Sequence, residues 1–203
     1  MSTAYWPNLH YFYYLFHSET IFIEQFENYQ KQSYRNRARI LSANGPLDLS
    51  IPVKKKAPKG LTKDIQMSYA EAWQIKHWRA ITSAYKNSPY FEHFESEIQP
   101  FYTQKHEHLL AYNLLQIQTV LNILKLKKVI QLTRHYEKTP EGLTDLREKI
   151  HPKLDLQRGE TPPVPLTHSY YQTFENKFEF VPNLSILDLI FNKGLETIAY
   201  FKV

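Results

Sequence analysis

The sequence predicts an α/β or α+β fold in which residues 1–203 form a single domain. Short apolar or alternating runs in the first quarter of the chain indicate strands, whereas 3.6-residue periodicity indicates a helical middle and C-terminal part. The length suits one sizeable hydrophobic core. Because 42% of the residues are hydrophobic and 15% aromatic, the composition argues against intrinsic disorder.

The chain is predicted to begin with a strand or turn, followed by a helix and then a strand. Pro7 precedes an aromatic run at residues 9–16, which favours a short helix, and residues 20–23 are typical of a strand. Asn44 and Gly45 lie between two extended runs, so a β-hairpin is expected there.

Three arginines lie two residues apart in the first strand of this predicted hairpin. Every second side chain of an extended strand lies on the same face. The side chains on one face would be Arg35, Arg37 and Arg39. Ala38 and Ile40 would then face the core, and the three guanidinium groups would form one basic patch.

The middle of the chain is predicted to be mostly helical. A short strand is expected near residues 64–68, and a helix from 71 to 86. Its apolar positions form two adjacent stripes, one with Ile75, Trp78, Ile81 and Tyr85 and the other with Trp73, His77, Ala80 and Ala84. Ser88 and Pro89 predict the start of a second helix. Residues 108–126 predict a long core helix.

The C-terminal part is predicted to alternate between regular structure and loops. A strand is expected at residues 129–133, a short helix at 143–150, and a proline-rich loop at 151–169. Ser185 and Asp188 have the spacing of a helix capping pair, and Gly194 is expected to end that helix.

The charge balance favours anionic partners. The formal net charge of +5 fits nucleic acids, nucleotide or sugar phosphates and anionic membrane surfaces. The absence of cysteine excludes disulfides, thiolate nucleophiles and Cys-ligated zinc, and it fits a cytoplasmic location. No run of ~18 apolar residues predicts a membrane span, and the first residues lack the basic region of a signal peptide.

No established catalytic or metal-binding motif occurs in the sequence. It contains no His-Glu-x-x-His, P-loop or glycine-rich dinucleotide motif. On a helix His106 and His108 would point about 200° apart, so no metal site is predicted. The identity of any cofactor stays open.

Two clusters supply the candidate binding and catalytic residues. The arginine strand, together with Lys31, could bind phosphate or carboxylate oxygens through bidentate hydrogen bonds, although an ion-paired strand face is the alternative. The second cluster lies on the predicted helix 71–86. Trp73 or Trp78 could stack on a base or sugar, and His77 could be a general base. Core packing and an uninvolved histidine are the alternatives there.

Blocks spread over nearly the whole chain resemble the WbqC-like protein family. These are residues 5–12 (YWPNLHYF), 21–23 (IFI), 31–37 (KQSYRNR), 44–45 (NG), 49–53 (LSIPV), 77–79 (HWR), 85–91 (YKNSPYF) and 185–192 (SILDLIFN). The resemblance implies a bacterial protein associated with gene clusters for O-antigen and other surface polysaccharides. His10 departs from the family pattern, because members usually carry glycine at that place.

The order of the first elements is also similar to the opening of nucleotidyltransferase-like, Rossmann-type folds. In those folds a proline precedes a histidine motif at the start of a helix, and the helix N-terminal amides bind phosphate. The resemblance therefore makes His10 a second candidate for the catalytic base.

These observations predict a transferase that uses a nucleotide-activated sugar or an acyl or aminoacyl donor. The residues expected to bind donor phosphates are Lys31, Arg35, Arg37 and Arg79. Asn36 would orient a sugar or amide, and His77 or His10 would accept a proton from the attacking group. The alternative is a non-catalytic accessory protein that binds an anion. A nucleic-acid partner is disfavoured because no nucleic-acid-binding signature is present.

Overall fold

Helices and short strands are both present, as the sequence predicts. The protein is described here by a computed structural model, which covers residues 1–54, 60–152 and 168–202. The helices are α1 (Leu9–His17), α2 (Trp73–Tyr85), α3 (Phe91–Ile98), α4 (Pro100–Thr103), α5 (Leu109–Ile123), α6 (Ile186–Lys193) and α7 (Thr197–Tyr200). Two 3-10 turns lie at Thr62–Asp64 and Gly194–Glu196. The strands are β1 (Thr20–Ile23), β2 (Arg37–Ser42), β3 (Gly45–Ser50) and β4 (Val129–Leu132).

Strands β1 and β4 form a two-stranded parallel sheet. Thr20 pairs with Val129 and Ile23 with Leu132, although more than one hundred residues separate the strands in sequence. The Met1 nitrogen donates to the Phe22 carbonyl on the other side of β1. In the described residues each sheet has two strands, and this arrangement does not confirm the predicted nucleotidyltransferase-like, Rossmann-type layout.

The predicted hairpin is confirmed. Strands β2 and β3 pair in antiparallel register, from Arg37 opposite Ser50 to Ser42 opposite Gly45. Gly45 has a φ of 101°, which a residue with a side chain rarely adopts. Ala38 and Ile40 face the core as predicted.

Several predicted boundaries are wrong. Residues 64–68 do not form a strand; they contain the end of a 3-10 turn and single bridges from Gln66 and Met67. Helix α3 begins at Phe91 and not at Ser88. The Ser88 hydroxyl donates a hydrogen bond of 2.6 Å to the Tyr85 carbonyl at the end of α2, so it does not cap the next helix. Ile75 is 53% exposed, whereas Ile81 and Tyr85 of the same predicted stripe are buried.

The predicted helix at 143–150 is also wrong. The Arg147 side chain binds Asp145 and the Lys138 carbonyl, and these bonds hold the segment in a turn-rich loop. Of the predicted loop at 151–169, residues 153–167 lie outside the described residues, as do the lysines among residues 55–59.

One hydrophobic core extends from Ala4 to Phe201 and contains the inner faces of α1, α5 and α6. Trp6 lies at its centre with a φ of 34°, an uncommon value for a bulky residue. Its nitrogen donates to Gln116, its carbonyl accepts from the Ser185 hydroxyl, and its indole donates to Tyr102. These three bonds hold the strained turn that leads into α1.

Candidate functional site

A cleft of about 610 Å³ runs along β1, from Ser18 to Glu24, and extends to the carboxyl end of β4. β1 and the residues after it provide one wall, the segment after β4 provides another, and residues 140–147 close the third side. Ligands of open α/β sheets commonly bind at this end of the strands. The cleft is therefore the first place to look for a binding site.

The floor of the cleft is a buried carboxylate. Glu24, only 4% exposed, follows β1, and its Oε1 accepts from the Thr133 hydroxyl at 2.9 Å and from the Phe26 nitrogen at 2.7 Å. Its Oε2 accepts from Arg147 at 3.4 Å. Arg147 also makes a bidentate pair with Asp145, which lowers the pKa of that carboxyl. The floor thus joins the ends of β1 and β4 to the outer loop.

The wall of the cleft carries three exposed charged or titratable side chains, those of Arg134, His135 and Glu137. Arg134 lies two residues after the end of β4 and makes no hydrogen bond or ion pair with any residue that the structure describes. His135 Nε2 lies 2.7 Å from Glu137 Oε1, so the carboxylate orients the ring and its Nδ1 is directed elsewhere. In such an arrangement the guanidinium can bind an anion, and the imidazole can accept a proton.

Arg35 is not part of an exposed arginine patch, because β2 begins only at Arg37. It is 2% exposed and makes a bidentate ion pair with Glu27, at 2.8 and 2.7 Å. Its guanidinium also donates to Ser2 at 2.8 Å. With its main donors satisfied inside the protein, Arg35 joins the first residues of the chain to the segment after β1.

Arg37 and Arg39 do lie on one face of β2, as predicted. Asp48 on β3 accepts from Arg39 at 2.7 and 3.1 Å and lies 3.8 Å from Arg37. Arg37 also donates to the Ser50 hydroxyl at 3.2 Å. Both guanidinium groups are thus neutralised in part by the same carboxylate across the hairpin.

His77 lies inside a chain of hydrogen bonds. Its Nδ1 is 2.9 Å from the Tyr5 hydroxyl, which is 2.9 Å from the Tyr102 hydroxyl, and the Trp6 indole donates to Tyr102 at 2.8 Å. Burial lowers the pKa of His77 to about 4, although a hydrogen bond to the main chain of Ser50 acts in the opposite direction. The ring is therefore neutral at physiological pH, donates to Ser50, and accepts from Tyr5.

We call these five residues, Trp6, Tyr102, Tyr5, His77 and Ser50, the His77 network. Both ring nitrogens of His77 have partners, and Tyr5 is fully buried. A substrate would have to displace one of these partners to reach the imidazole. The geometry is typical of a histidine that holds neighbouring elements in place.

The other residues predicted on α2 are distributed between core and surface. Trp73 is 2% exposed and cannot offer a free face to a ligand, whereas Trp78 is half-buried and stacks on Phe91 and Tyr102. Arg79 is exposed, and the part of the chain that the structure describes gives it no hydrogen bond or ion pair.

The remaining predicted residues lie nearer the N-terminal part. Lys31 is exposed, and Asn36 donates to the Ile51 carbonyl at 2.8 Å. His10 is 6% exposed, and its main-chain nitrogen donates to Asn183. The nitrogens of Leu9 and Tyr11 also have protein acceptors. A phosphate at the start of α1 would have to replace these bonds.

A second buried titratable group lies on α6. Ser185 caps that helix as predicted, but the Asp188 side chain points into the core. Its carboxylate accepts from the hydroxyls of Tyr85 at 2.9 Å and Tyr170 at 2.7 Å, and from the Gln172 amide at 3.2 Å. Burial raises the pKa of Asp188 to about 6, against the opposing effect of these donors.

Within the described ranges 1–54, 60–152 and 168–202, no group of three histidine, aspartate or glutamate side chains could hold a metal ion. Within the same ranges, no helix has the length and apolar character needed to cross a membrane.

Comparison with known proteins identifies the family. The model of the WbqC-like protein family matches residues 3–164. The chain belongs to the WbqC-like protein family. It is also similar to a protein of Mycobacterium tuberculosis named uncharacterized protein Rv1507c, with 24% identity over 198 residues, 86% of this chain and 84% of that protein. No solved structure matches the chain.

The residues of the cleft were not singled out by the sequence. Glu24 and Thr133 each follow a short strand, and this position at a strand end is the one signal that could have identified them. Arg134, Asp145 and Arg147 carried no such signal, because a parallel pairing over a long sequence separation brings them together.

Proposed function

We propose that this WbqC-like protein is a transferase whose activated, anionic donor binds in the cleft at the carboxyl ends of β1 and β4. The donor would be a nucleotide-activated sugar or an acyl or aminoacyl donor bearing phosphate. The family resemblance implies the setting, cytoplasmic synthesis of O-antigen or another surface polysaccharide. The observation that carries the proposal is the guanidinium of Arg134 at this edge of the sheet, which has no partner among the described residues.

The cleft offers a part for each requirement of group transfer. Arg134 would bind a donor phosphate through bidentate hydrogen bonds. His135, held at Nε2 by Glu137, would accept at Nδ1 the proton of an attacking hydroxyl or amine. The attacking oxygen or nitrogen would form its bond to the transferred carbon as the bond to the leaving group breaks, and the phosphate-bearing group would leave beside Arg134.

The cations predicted from sequence offer alternative locations for the donor. Of these, Lys31 and Arg79 are exposed cations without partners in the described residues. Arg134 and Arg79 are both exposed, unpaired arginines, one inside the cleft and one on α2. They form a matched pair for locating the donor.

The experiment is a binding screen with purified protein against nucleotide sugars, coenzyme A esters and a short oligonucleotide, at low and high salt. We expect saturable thermal stabilisation by one small-molecule class. Arg134→Ala should weaken that binding by about tenfold to a hundredfold, as for loss of a charged hydrogen-bonding group. Arg79→Ala should leave it unchanged.

Two outcomes would contradict the proposal. Loss of binding in Arg79→Ala but not in Arg134→Ala would place the donor on the α2 face. Steeply salt-dependent binding of the oligonucleotide, with no small-molecule response, would identify a nucleic-acid-binding protein.

A further inference from the structure

Strand β4 forms an outer edge of the parallel sheet. The Val129 nitrogen donates to the carbonyl of Glu19, just before β1, and the Thr133 nitrogen donates to the carbonyl of Ile23, at the end of β1. Main-chain groups alternate in direction along a strand, so both main-chain groups of Ile130 and Leu132 point away from β1. Within the described residues, β1 is the one strand that pairs with β4.

The side chains of β4 do not protect this edge. Val129 is 52% exposed and Leu132 is 40% exposed. By contrast, the β2–β3 hairpin carries Arg39 and Asp48 on its solvent face. Charged side chains of that kind discourage strand addition, whereas an exposed apolar edge favours it. The edge of β4 therefore has the properties of a strand that pairs with another chain.

The charges around β4 select the partner. Residues 125–136, KLKKVIQLTRHY, contain four lysines or arginines and no aspartate or glutamate. Lys127 is exposed and has no partner in the portion of the chain described. A second copy of this chain, paired antiparallel about Gln131, would bring Lys128 opposite Arg134, which like-charge repulsion disfavours. Acidic side chains would instead complement both ends of the strand.

We propose that the edge of β4 binds an extended acidic segment of another protein as an added strand. Hydrogen bonds to the main chain of Ile130 and Leu132 would provide affinity that does not depend on the side chains of the partner. Lys127 would favour an acidic sequence. This interaction is distinguished from donor binding by Lys127 and Ile130, which do not line the cleft, whereas Leu132 lines it.

The test uses a synthetic peptide with a central run of valine and threonine flanked at each end by glutamates, and a lysine-flanked peptide of the same centre. We expect the acidic peptide to bind, and to slow hydrogen exchange at the amides of Ile130 and Leu132. Binding without this slowing, or equal binding of both peptides, would overturn the proposal.

Two variants separate the main chain from the charge. Ile130→Pro removes an outward N–H and leaves the bonds to β1 intact, since proline is tolerated on edge strands. It should weaken binding by about tenfold. Lys127→Glu should weaken the acidic peptide and improve the lysine-flanked one, whereas the exposed control Lys177→Glu should change neither. Unchanged binding in Lys127→Glu would contradict an acidic partner whether or not Ile130→Pro folds.

A sedimentation measurement of the free protein completes the test. A monomer that binds the acidic peptide supports the proposal. A concentration-dependent dimer that is abolished by Ile130→Pro would show that the edge pairs with a second copy, and would overturn it.

Discussion

The cleft and the His77 network differ in how their polar groups are used. In the His77 network each side chain donates to or accepts from another, and Tyr5 and His77 are almost fully buried. In the cleft only the floor around Glu24 is closed in this way, while Arg134 and His135 face solvent. A network in which every polar group has a partner stabilises the fold and orients its side chains. Polar groups with unused hydrogen-bonding capacity are available to bind ligands.

The comparison also shows that a recognisable sequence block need not be a binding site. Tyr5, Trp6 and His77 belong to the blocks that resemble the family, yet they meet in the core. Their contacts explain a requirement for these residues through packing and hydrogen bonding alone. The cleft, by contrast, is built from residues outside most of these blocks.

The largest expected effect on stability is that of His77→Ala. It removes the acceptor of the Tyr5 hydroxyl and the hydrogen bond to the Ser50 main chain and opens a cavity, so the free energy of unfolding should fall by about 2–4 kcal/mol. The exposed control His93→Ala should change it by less than about 0.5 kcal/mol. Urea unfolding measures both variants. Full stability combined with lost turnover would instead make His77 a catalytic base.

A pH series sharpens the comparison between buried groups. The lowered pKa of His77, about 4 against an ordinary 6.5, stabilises the fold above pH 6.5, and this stability is lost as pH falls towards 4. The raised pKa of Asp188, about 6 against 3.8, acts in the opposite sense: its contribution is present below pH 3.8 and is lost as pH rises through 6. The two effects should largely cancel in the native protein.

Asp188→Asn removes one side of this balance. Relative to the native protein, the variant should lose stability more steeply as pH falls from 6.5 to 4, by an amount of the order of 3 kcal/mol. Denaturant titrations at several pH values measure this slope. Equal slopes in both proteins would show that Asp188 does not titrate in this range.

Glu24→Gln tests the closed floor of the cleft. The new amide would face the Arg147 guanidinium, donor against donor, and the buried cation would lose a charge partner. We expect a loss of about 1–3 kcal/mol in the free energy of unfolding. Glu148→Gln is the control, because its bond to Gln30 is exposed. An unaltered stability in Glu24→Gln would mean that the floor is not held by this ion pair.

Arg134→Ala should have the smallest effect on stability, less than about 0.5 kcal/mol, because its side chain is exposed and unpaired in the described structure. Its effect should appear in donor binding alone. Thermal unfolding with and without the donor distinguishes the two. A marked loss of stability without ligand would show that Arg134 has a structural role.

The local structure was largely predictable from sequence. Periodicity located α2 and α5 within two or three residues, and the Asn44-Gly45 pair located the hairpin turn. The predictions failed where side chains far apart in sequence decide the conformation. Arg147, for example, draws its loop onto Asp145 and Glu24, and no periodic pattern encodes such a contact.

The candidate site was less predictable. Spacing correctly placed Arg37 and Arg39 on one strand face, but it could not show that Asp48 lies opposite both. Nor could the sequence show that Glu27 pairs with Arg35 inside the protein. Whether a guanidinium is available depends on its neighbours in space.

The sequence by itself determined most of the helices and strands, the basic charge and the family, because these depend on local periodicity, composition and the order of residue blocks. Only the tertiary structure decided which polar groups are closed into networks and which face a cleft. The pairing of β1 with β4 carries Glu24, Thr133 and Arg134 to one edge, and the burial of His77 beside Tyr5 removes its ring from solvent. Both outcomes arise from contacts between residues far apart in the chain, where burial and partner geometry fix the chemistry of each side chain.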